Sequence, residues 1–226
     1  MKITFYGHAS LGIEVSGKFI LVDPFISGNP KAAHINIESL KPDYVFLTHA
    51  HQDHTLDVEF IMSRNPEAVI VSNAEIVTHY AAKGFKGHMM NHGGSWKFEF
   101  GVVKYVNAIH SSSFADGSYG GNPGGFVIEG EHKNIYIAGD TALTMDMKLI
   151  PMRTKLDLAI LPVGSNFTMD VDDAIIASDF LDCDKIMGYH YDTFGYIEID
   201  HDQAKRKFFD QGKDLMLLEI GQSIEL

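Results

Sequence analysis

Residues Thr48 to His54 read Thr-His-Ala-His-Gln-Asp-His and place three imidazoles and one carboxylate close together in the chain. Neutral imidazole and carboxylate are the usual nitrogen and oxygen ligands of zinc, manganese and iron in proteins. The apolar run Tyr44 to Leu47, directly before them, predicts a strand that would hold the first of these residues in place. We therefore interpret the cluster as part of a metal site rather than as a solvated polar loop.

Three more ligand-type residues stand at the ends of predicted strands. They are His110, Asp140 and His190, and each of them comes directly after an apolar run. Sheets place ligand sites at strand ends and in the loops beyond them, so these positions are more informative than others. In isolation, a hydrogen-bonded structural histidine or an aspartate helix cap would explain each residue. Beside the cluster, we interpret all three as candidate metal ligands.

The elements that must position these residues begin with short β-type runs. Three of them, separated by turn residues, predict antiparallel strands at 3–6, 11–15 and 19–22. A loop is predicted over 27–36. From residue 43 the pattern changes to an alternation of strand and helix, with strands at 44–47 and 68–71 and helices at 56–63 and 74–83.

The second part of the chain repeats this order of elements. It starts with β-type runs, which lie at 96–100, 102–109, 126–129 and 134–138, with Gly101 as a turn. Alternation then resumes, with strands at 156–161, 185–188 and 215–218 and helices at 173–180 and 201–211. The repeat predicts an α/β protein in which two mixed β-sheets pack face to face between outer helices, a four-layer αββα sandwich. We expect one domain over residues 1–226, made of two halves, roughly 1–95 and 96–226, that share a core.

Composition limits the partners of the chain. Its 226 residues carry 18 Lys and Arg against 30 Asp and Glu, a formal net charge of -12. Such a charge repels phosphate backbones and anionic headgroups, so we expect a small-molecule substrate and no nucleic-acid or membrane partner. The N-terminus lacks signal-peptide features and Cys183 is the only cysteine, which together favour a cytoplasmic protein with a structural thiol. A homo-oligomer is compatible with this composition.

The series His49-x-His51-x-Asp53-His54, then His110, Asp140 and His190, resembles the metallo-β-lactamase fold superfamily over nearly the whole chain. Four further segments are similar to a bacterial and archaeal group of uncharacterised metal-dependent hydrolases that resembles ascorbate 6-phosphate lactonase. These segments are 6–10, 110–113, 161–169 and 190–194.

The resemblance implies two divalent metal ions, with zinc as the default and manganese or iron as the alternatives. One ion would be bound by His49, His51 and His110. The other would be bound by Asp53, His54 and His190, with Asp140 bridging the two. Two such ions can share a hydroxide, lower its pKa towards neutrality and stabilise an oxyanion. Asp53 has a second predicted role as the catalytic residue that accepts or relays the proton of the nucleophile.

The function predicted from these residues is hydrolysis of a small, anionic ester, lactone or phosphoester. A phosphodiesterase or nuclease would use the same pair of ions, although the acidic composition argues against a polynucleotide. A mononuclear iron dioxygenase is the alternative from another class, because His49, His110 and Asp140 form a set of two histidines and one carboxylate. Diiron oxidoreductases of the superfamily typically have Glu where His51 stands, which favours hydrolysis. A scaffold that binds metal without turnover is not required, since no expected ligand is missing.

Two residues outside the ligand set are predicted to bind substrate. His8 follows a short strand and either contacts substrate or stabilises backbone structure. Asn166 either donates a hydrogen bond to a substrate carbonyl or phosphate, or caps the helix that begins near Asp172. The glycine-rich segment 117–125 lacks the Gly-Lys-Ser/Thr ending of a phosphate-binding loop, so we predict a hairpin that lines the pocket.

Overall fold

Strands separated by short turns make up most of the first half of the chain. The computed structural model describes residues 1–226. Its first six strands are β1 (Lys2–Gly7), β2 (Ser10–Val15), β3 (Lys18–Val22), β4 (Tyr44–Phe46), β5 (Val69–Asn73) and β6 (Gly87–Met90). The helices between them are α1 (Gln52–Thr55), α2 (Val58–Arg64) and α3 (Ala74–Ala81), with 3-10 turns at Pro30–Ala32 and Ile37–Ser39.

The second half also combines strands with helices. Its strands are β7 (Ser95–Phe98), β8 (Gly101–Asn107), β9 (Gly124–Gly130), β10 (Lys133–Ile137), β11 (Leu158–Pro162), β12 (Lys185–Tyr189), β13 (Asp214–Met216) and β14 (Ser223–Glu225). Its helices are α4 (Val171–Phe180) and α5 (His201–Asp210), with 3-10 turns at Met145–Leu149 and Gly195–Ile197. None of the helices combines the length and the hydropathy needed to cross a bilayer.

These strands form two seven-stranded mixed sheets. The first has the order β14-β1-β2-β3-β4-β5-β6, and the second has the order β13-β12-β11-β10-β9-β8-β7. In the first sheet β1 to β3 are antiparallel and β3 to β6 are parallel. In the second, β7 to β10 are antiparallel and β10 to β13 are parallel. The predicted order of a meander followed by strand–helix units is therefore confirmed in both halves.

Aromatic and branched side chains fill the space between the two sheets. Phe46 of β4 meets Phe126 of β9 with ring centroids 4.8 Å apart, and Tyr105 of β8 lies 5.1 Å from Phe126. All three side chains are fully buried and belong to one apolar core that draws residues from both sheets. Helix α3 packs on β5 and β6, while α4 and α5 pack on β11 and β13. The predicted four-layer αββα architecture is thus confirmed.

Several boundaries differ from those predicted. Strands β6 and β14 have no predicted counterpart, because Gly87–Met90 and Ser223–Glu225 are too short and too weakly apolar to be recognised alone. The predicted helix 56–63 begins at Val58 and is preceded by α1, so Asp53 and His54 lie on a helical turn instead of a loop. The predicted turn is present at residues 99–100, and Gly101 begins β8 directly after it. Its φ of +153° and the nearby Glu129 carbonyl, which a Cβ would hit, both require glycine there.

Candidate metal centre

The seven predicted metal ligands converge at one end of the sandwich. His49 and His51 follow β4, Asp53 and His54 lie on α1, and the other three follow β8, β10 and β12. The ligand atoms of six of them form two groups, each within 4.8 Å, with His49, His51 and His110 in one and Asp53, His54 and His190, together with His8, in the other. A third group of this kind, Asp23, His49 and His54, spans the two. Strand ends on both sheets therefore bring together residues that lie up to 141 positions apart, from His49 to His190.

Neighbouring hydroxyl groups orient the histidines of the first group. The Thr48 hydroxyl donates to Asp23 at 2.6 Å and lies 3.0 Å from His49 Nδ1, so it accepts the Nδ1 hydrogen. His49 Nε2 is then unprotonated and faces His51 Nδ1 at 2.9 Å, while His51 Nε2 lies 3.2 Å from the Ser111 hydroxyl. His49 Nδ1 and His51 Nε2 are therefore hydrogen-bonded to hydroxyl groups, while His49 Nε2 and His51 Nδ1 point at each other.

The second group surrounds the one carboxylate of the site that solvent reaches. The Asp53 side chain is 31% exposed, and its Oδ2 lies 3.9 Å from His54 Nε2 and 3.8 Å from His190 Nε2. The His54 ring is fully buried and donates from Nδ1 to Asp23 Oδ2 at 2.9 Å. That bond fixes the tautomer, so in the neutral ring Nε2 carries the free lone pair and faces Asp53.

Asp140 lies between the two groups. Its Oδ2 is 3.6 Å from His110 Nε2 and 4.0 Å from His49 Nε2 on one side. On the other side it is 3.4 Å from His54 Nε2 and 3.0 Å from His190 Nε2. Asp140 therefore approaches four histidines, two in each group.

Several polar atoms of the site are buried without a hydrogen-bond partner. They are His54 Nε2, Asp140 Oδ1 and both ring nitrogens of His190. Folded proteins seldom leave buried polar atoms unpaired, because each such atom loses its hydration without compensation. Imidazole nitrogens and carboxylate oxygens in this state fit a bound divalent cation. The donor set thus suits the metal ions that the sequence predicts.

The electrostatic environment keeps most of these imidazoles neutral. Burial lowers the pKa of His49, His51 and His110, so each of them offers an unprotonated ring at neutral pH. Metal ligation requires that state. His54 differs from them. Burial opposes its charge, but Asp140, Asp23 and Asp53 outweigh burial and raise its pKa well above the usual value.

Both predicted carboxylate ligands are ionised. Burial disfavours the charge on Asp53, yet His54 and His8 outweigh it and hold its pKa far below the usual value. The pKa of Asp140 is likewise well below its usual value, because His190 and His54 more than compensate for burial. The site therefore offers two negative charges to cations.

Asp23 is a residue of the site that the sequence analysis does not identify. It is fully buried, and its carboxylate accepts hydrogen bonds from Thr48 N, Thr48 Oγ1 and His54 Nδ1. Burial raises its pKa, while the donors from His54 and Thr48 favour its ionised form. Its position directly after β3, with Pro24 next, is the signal that the sequence carries, since a strand end can deliver a polar side chain.

The glycine-rich segment forms the predicted hairpin and packs on the loop that carries the predicted ligands His49 and His51. Gly120 N donates to Ser112 O, and Ser112 Oγ donates to Gly120 O at 3.1 Å. Ser112 Oγ also accepts from Ala50 N at 3.2 Å, and Gly120 packs so closely on Ala50 that a Cβ would overlap it. The hairpin therefore holds the backbone between His49 and His51.

The two predicted substrate-binding residues lie in different environments. His8 is 1% exposed, with Nε2 3.0 Å from Asp53 Oδ2 and Nδ1 2.9 Å from Thr193 Oγ1. Burial, assisted by His190, lowers the pKa of His8 to about 4. Asn166 is exposed in a turn with a φ of 53°, and α4 is capped by Asp170 instead. The structure thus places His8 beside Asp53. Contact of His8 or Asn166 with substrate stays a prediction.

Comparison with known proteins agrees with this arrangement. Residues 2–187 match the family model of the β-lactamase superfamily domain. A UPF0173 metal-dependent hydrolase from Flavobacterium johnsoniae is 78% identical over 226 residues, which cover 100% of both chains. The solved structure of a metallo hydrolase from Ignicoccus hospitalis KIN4/I is 33% identical, with a TM-score of 0.89 over 99% of this chain and 97% of that one.

A more distant neighbour shares only the fold. A diiron β-hydroxylase from Streptomyces venezuelae is 17% identical, with a TM-score of 0.79 over 100% of this chain and 54% of that one. The fold by itself therefore does not select between hydrolysis and oxidation. The family match and the full-length relative establish that the chain belongs to the metallo-β-lactamase superfamily, within its UPF0173 family.

Proposed function

We propose that the protein is a metal-dependent hydrolase with a dinuclear centre that acts on a small, anionic ester, lactone or phosphoester. Its first metal position would consist of His49, His51 and His110. Its second would consist of Asp53, His54 and His190. Asp140 would contribute to both. Zinc is the default ion, and manganese or iron would suit the same nitrogen and oxygen donors.

The observation that carries the proposal is the place of Asp140 between two sets of ligand atoms. One carboxylate oxygen approaches histidines of both sets within 4.0 Å. A single ion needs three or four protein ligands, so a set of seven converging residues exceeds what one ion uses. The surplus supports two positions that share Asp140.

Two divalent ions at these positions would supply Lewis acidity and lower the pKa of a water between them. The chain itself supplies orientation. Thr48 and Ser111 occupy the outer nitrogens of His49 and His51, and Asp23 occupies His54 Nδ1. Fixed rings of this kind hold ligand lone pairs in place without rearrangement during the reaction.

Asp53 is the residue we assign to proton transfer. It is the most exposed carboxylate of the site, and His8 Nε2 at 3.0 Å fixes the orientation of its Oδ2. A carboxylate with so low a pKa holds a proton only briefly at neutral pH. We therefore propose that Asp53 relays the proton to solvent rather than storing it.

The charge of the site favours an anionic substrate. Two divalent ions outweigh the two carboxylates of Asp53 and Asp140, and the five histidine ligands add no charge when neutral. The surrounding surface carries the net charge of -12, which disfavours a polyanion such as nucleic acid. A small anion can reach the positive centre with less repulsion than an extended one.

Metal analysis of protein purified without added metal is the first test of the proposal. A panel of lactones, esters and phosphodiesters is then assayed with that metal restored. We expect about two ions per chain. His51→Ala and Asp53→Ala should each lower the metal content and abolish turnover, whereas the surface variant His132→Asn should change neither. Two ions and full activity in either site variant would contradict the assignment.

The same panel separates the alternative reactions. A preference for phosphodiesters over lactones and esters would identify a phosphodiesterase. One iron per chain with oxygen uptake would identify the dioxygenase, for which His49, His110 and Asp140 provide the facial ligand set. The approach of His54 and His190 to Asp140, at 3.4 and 3.0 Å, favours a second ion instead.

A further inference from the structure

A cavity lies beside the predicted metal centre, and the proposed function assigns it no role. It has a volume of about 570 Å³ and is lined by the loop after β3, the segment after His190, and helix α5. His8 and Thr193 are part of its wall, and His8 is hydrogen-bonded to Asp53 at 3.0 Å. These two side chains therefore stand between the cavity and the predicted metal ligands.

Asn29 presents an unused hydrogen-bond donor in this cavity. Its side chain is 2% exposed, and its Oδ1 accepts a hydrogen bond from Lys31 N at 3.0 Å. The amide Nδ2 packs against Gly7, where a Cβ would collide with it, and donates to no protein atom. Because Asn29 lines the cavity and its Nδ2 is not among the fully buried unpaired atoms, a solute in the cavity can reach this donor.

Two lysines add positive charge to the same cavity. Lys31 and Lys205 both line it and have no carboxylate within ion-pair distance, whereas Lys207 on the same helix as Lys205 pairs with Asp172 at 2.7 Å. Both ammonium groups are therefore free to bind an anion that enters the cavity.

Asp192 and Glu219 also line the cavity, so its formal charge is zero when its histidines are neutral. Asp192 is occupied, because Oδ2 lies 2.7 Å from His201 Nε2 and Oδ1 accepts from Ile199 N at 3.0 Å. Glu219 is exposed at the border of the cavity. The uncommitted donors, Asn29 Nδ2 and the two ammonium groups, all favour an anion with several acceptor oxygens.

We propose that this cavity binds a tetrahedral oxyanion, with Asn29 Nδ2, Lys31 and Lys205 as its donors. Its ligand is phosphate or the phosphoryl group of a small monoester, which share this chemistry. None of the seven predicted metal ligands lines the cavity, although His8, which is hydrogen-bonded to Asp53, does. Metal content and phosphate binding are therefore measured separately.

Titration of ¹⁵N-labelled, zinc-loaded protein with inorganic phosphate at constant ionic strength tests the site. We expect saturable shifts of the Asn29 side-chain amide and of the Lys31 and Thr193 backbone amides. Methylphosphonate serves as the monoester analogue. Tighter binding of methylphosphonate than of phosphate would identify a phosphoryl group as the natural ligand, and the reverse order would identify free phosphate.

Three variants locate the binding. Asn29→Asp keeps the oxygen that accepts from Lys31 N but replaces the amide donor with a negative charge, so it should weaken phosphate binding at least about tenfold. Lys31→Gln combined with Lys205→Gln should weaken it to a similar extent without affecting the fold, since both side chains are exposed. Lys41→Gln, an exposed lysine outside the cavity, should stay within about twofold of the unmodified protein.

Two results would overturn the proposal. One is unchanged phosphate affinity in both the Asn29→Asp protein and the double lysine variant. The other is a response confined to amides next to the metal ligands, such as Ser111 and Thr141, which would show phosphate binding at the metal centre only. Zinc content of each variant, measured alongside, shows separately whether the metal centre is intact.

Discussion

At the scale of single residues, Asp23 connects both predicted metal positions. Its Oδ2 accepts hydrogen bonds from His54 Nδ1 and from Thr48 Oγ1, and that hydroxyl in turn fixes the His49 ring. One buried carboxylate therefore determines the tautomer of a histidine in each group. Residues that orient metal ligands typically influence affinity strongly without touching the ion.

We predict that Asp23→Asn lowers metal affinity about 10- to 100-fold. The amide oxygen can still accept from Thr48 N, which leaves the NH₂ group facing His54 Nδ1. That ring nitrogen would then accept a hydrogen bond, which moves the His54 proton to Nε2 and blocks the ligand position. Competition with a chromophoric chelator measures the affinity of each ion.

Asp57→Asn provides the matched control for that variant. Asp57 is also buried and accepts hydrogen bonds from Ile26 N and Ser27 N, but it contacts no predicted ligand. Its replacement should lower the free energy of unfolding and leave metal affinity unchanged. Equal loss of metal affinity in both variants would mean that general destabilisation, and not the orientation of His54, is the cause.

Loading the metal-free protein should release a proton from His54. The three carboxylates around this ring raise its pKa, so it is protonated up to that raised pKa and must lose the Nε2 hydrogen before it can bind a cation. The pKa values of His49, His51 and His110 are lowered, and these rings are already neutral. The release should therefore persist in mildly acidic solution and vanish only as the pH rises above the raised pKa.

Calorimetric titration with zinc in buffers of different ionisation enthalpy measures this proton. We expect at least about one proton per chain at about pH 6, where ionisation of a metal-bound water, with a pKa near 7, contributes little. Absence of proton release at that pH would mean that His54 is neutral in the metal-free protein or does not bind the ion.

At the scale of elements, the sequence predicts the strands that carry the ligands better than the contacts that orient them. The apolar runs before His49, His110 and His190 can be recognised from the local sequence, and a ligand-type residue follows each run closely. The contact between Asp23 and His54 joins residues 31 positions apart, and no periodicity signals such a pairing.

Two strands escape prediction for the same physical reason. β6 and β14 are the two edge strands of the first sheet. They owe their structure to pairing with β5 and β1, not to their own composition. β14 pairs Glu225 with Lys2, at opposite ends of the chain. The boundary near residue 95 therefore separates the strands of the two sheets except for β14, which lies in the second half of the chain but belongs to the first sheet. Short segments depend on tertiary context more than on propensity.

The hairpin 112–120 offers a test of an element that supports the site. In Gly120→Ala the new Cβ would overlap the Ala50 side chain and the Ser112 hydroxyl, so the backbone between His49 and His51 must move. A displacement of this kind at a ligand-bearing loop should lower metal affinity and reduce turnover at least about tenfold. Metal content and initial rates measure the two effects.

Gly117→Ala is the control within the same hairpin. Gly117 has a φ of +82° and open space around it, so alanine there adds backbone strain of roughly 1 kcal/mol without touching the site. Its metal content and turnover should match those of the unmodified protein. If Gly117→Ala reduces metal binding as much as Gly120→Ala does, strain in the hairpin, and not the contact with Ala50, is responsible.

At the scale of the whole molecule, the predicted metal centre depends on two sheets that share one core. Predicted ligands of the first position come from the loop after β4 in one sheet and from the end of β8 in the other. Phe46 and Phe126 meet between these sheets close to the strand ends. Any separation of the halves would therefore pull His110 away from His49 and His51.

We predict that the two halves unfold together. Phe46→Ala removes a fully buried ring from β4 and should lower the free energy of unfolding by about 3–5 kcal/mol. The single tryptophan, Trp96, lies on β7 in the other sheet, and its ring centroid is 5.1 Å from that of His88 on β6. Its fluorescence therefore reports on the second sheet and on its contact with the edge of the first. Its unfolding midpoint should shift with that of the far-ultraviolet circular dichroism signal.

Phe209→Ala, at a ring that is 78% exposed, should change the free energy of unfolding by less than about 0.5 kcal/mol. A Trp96 transition that stays in place while the circular dichroism midpoint falls would show that the halves are independent domains.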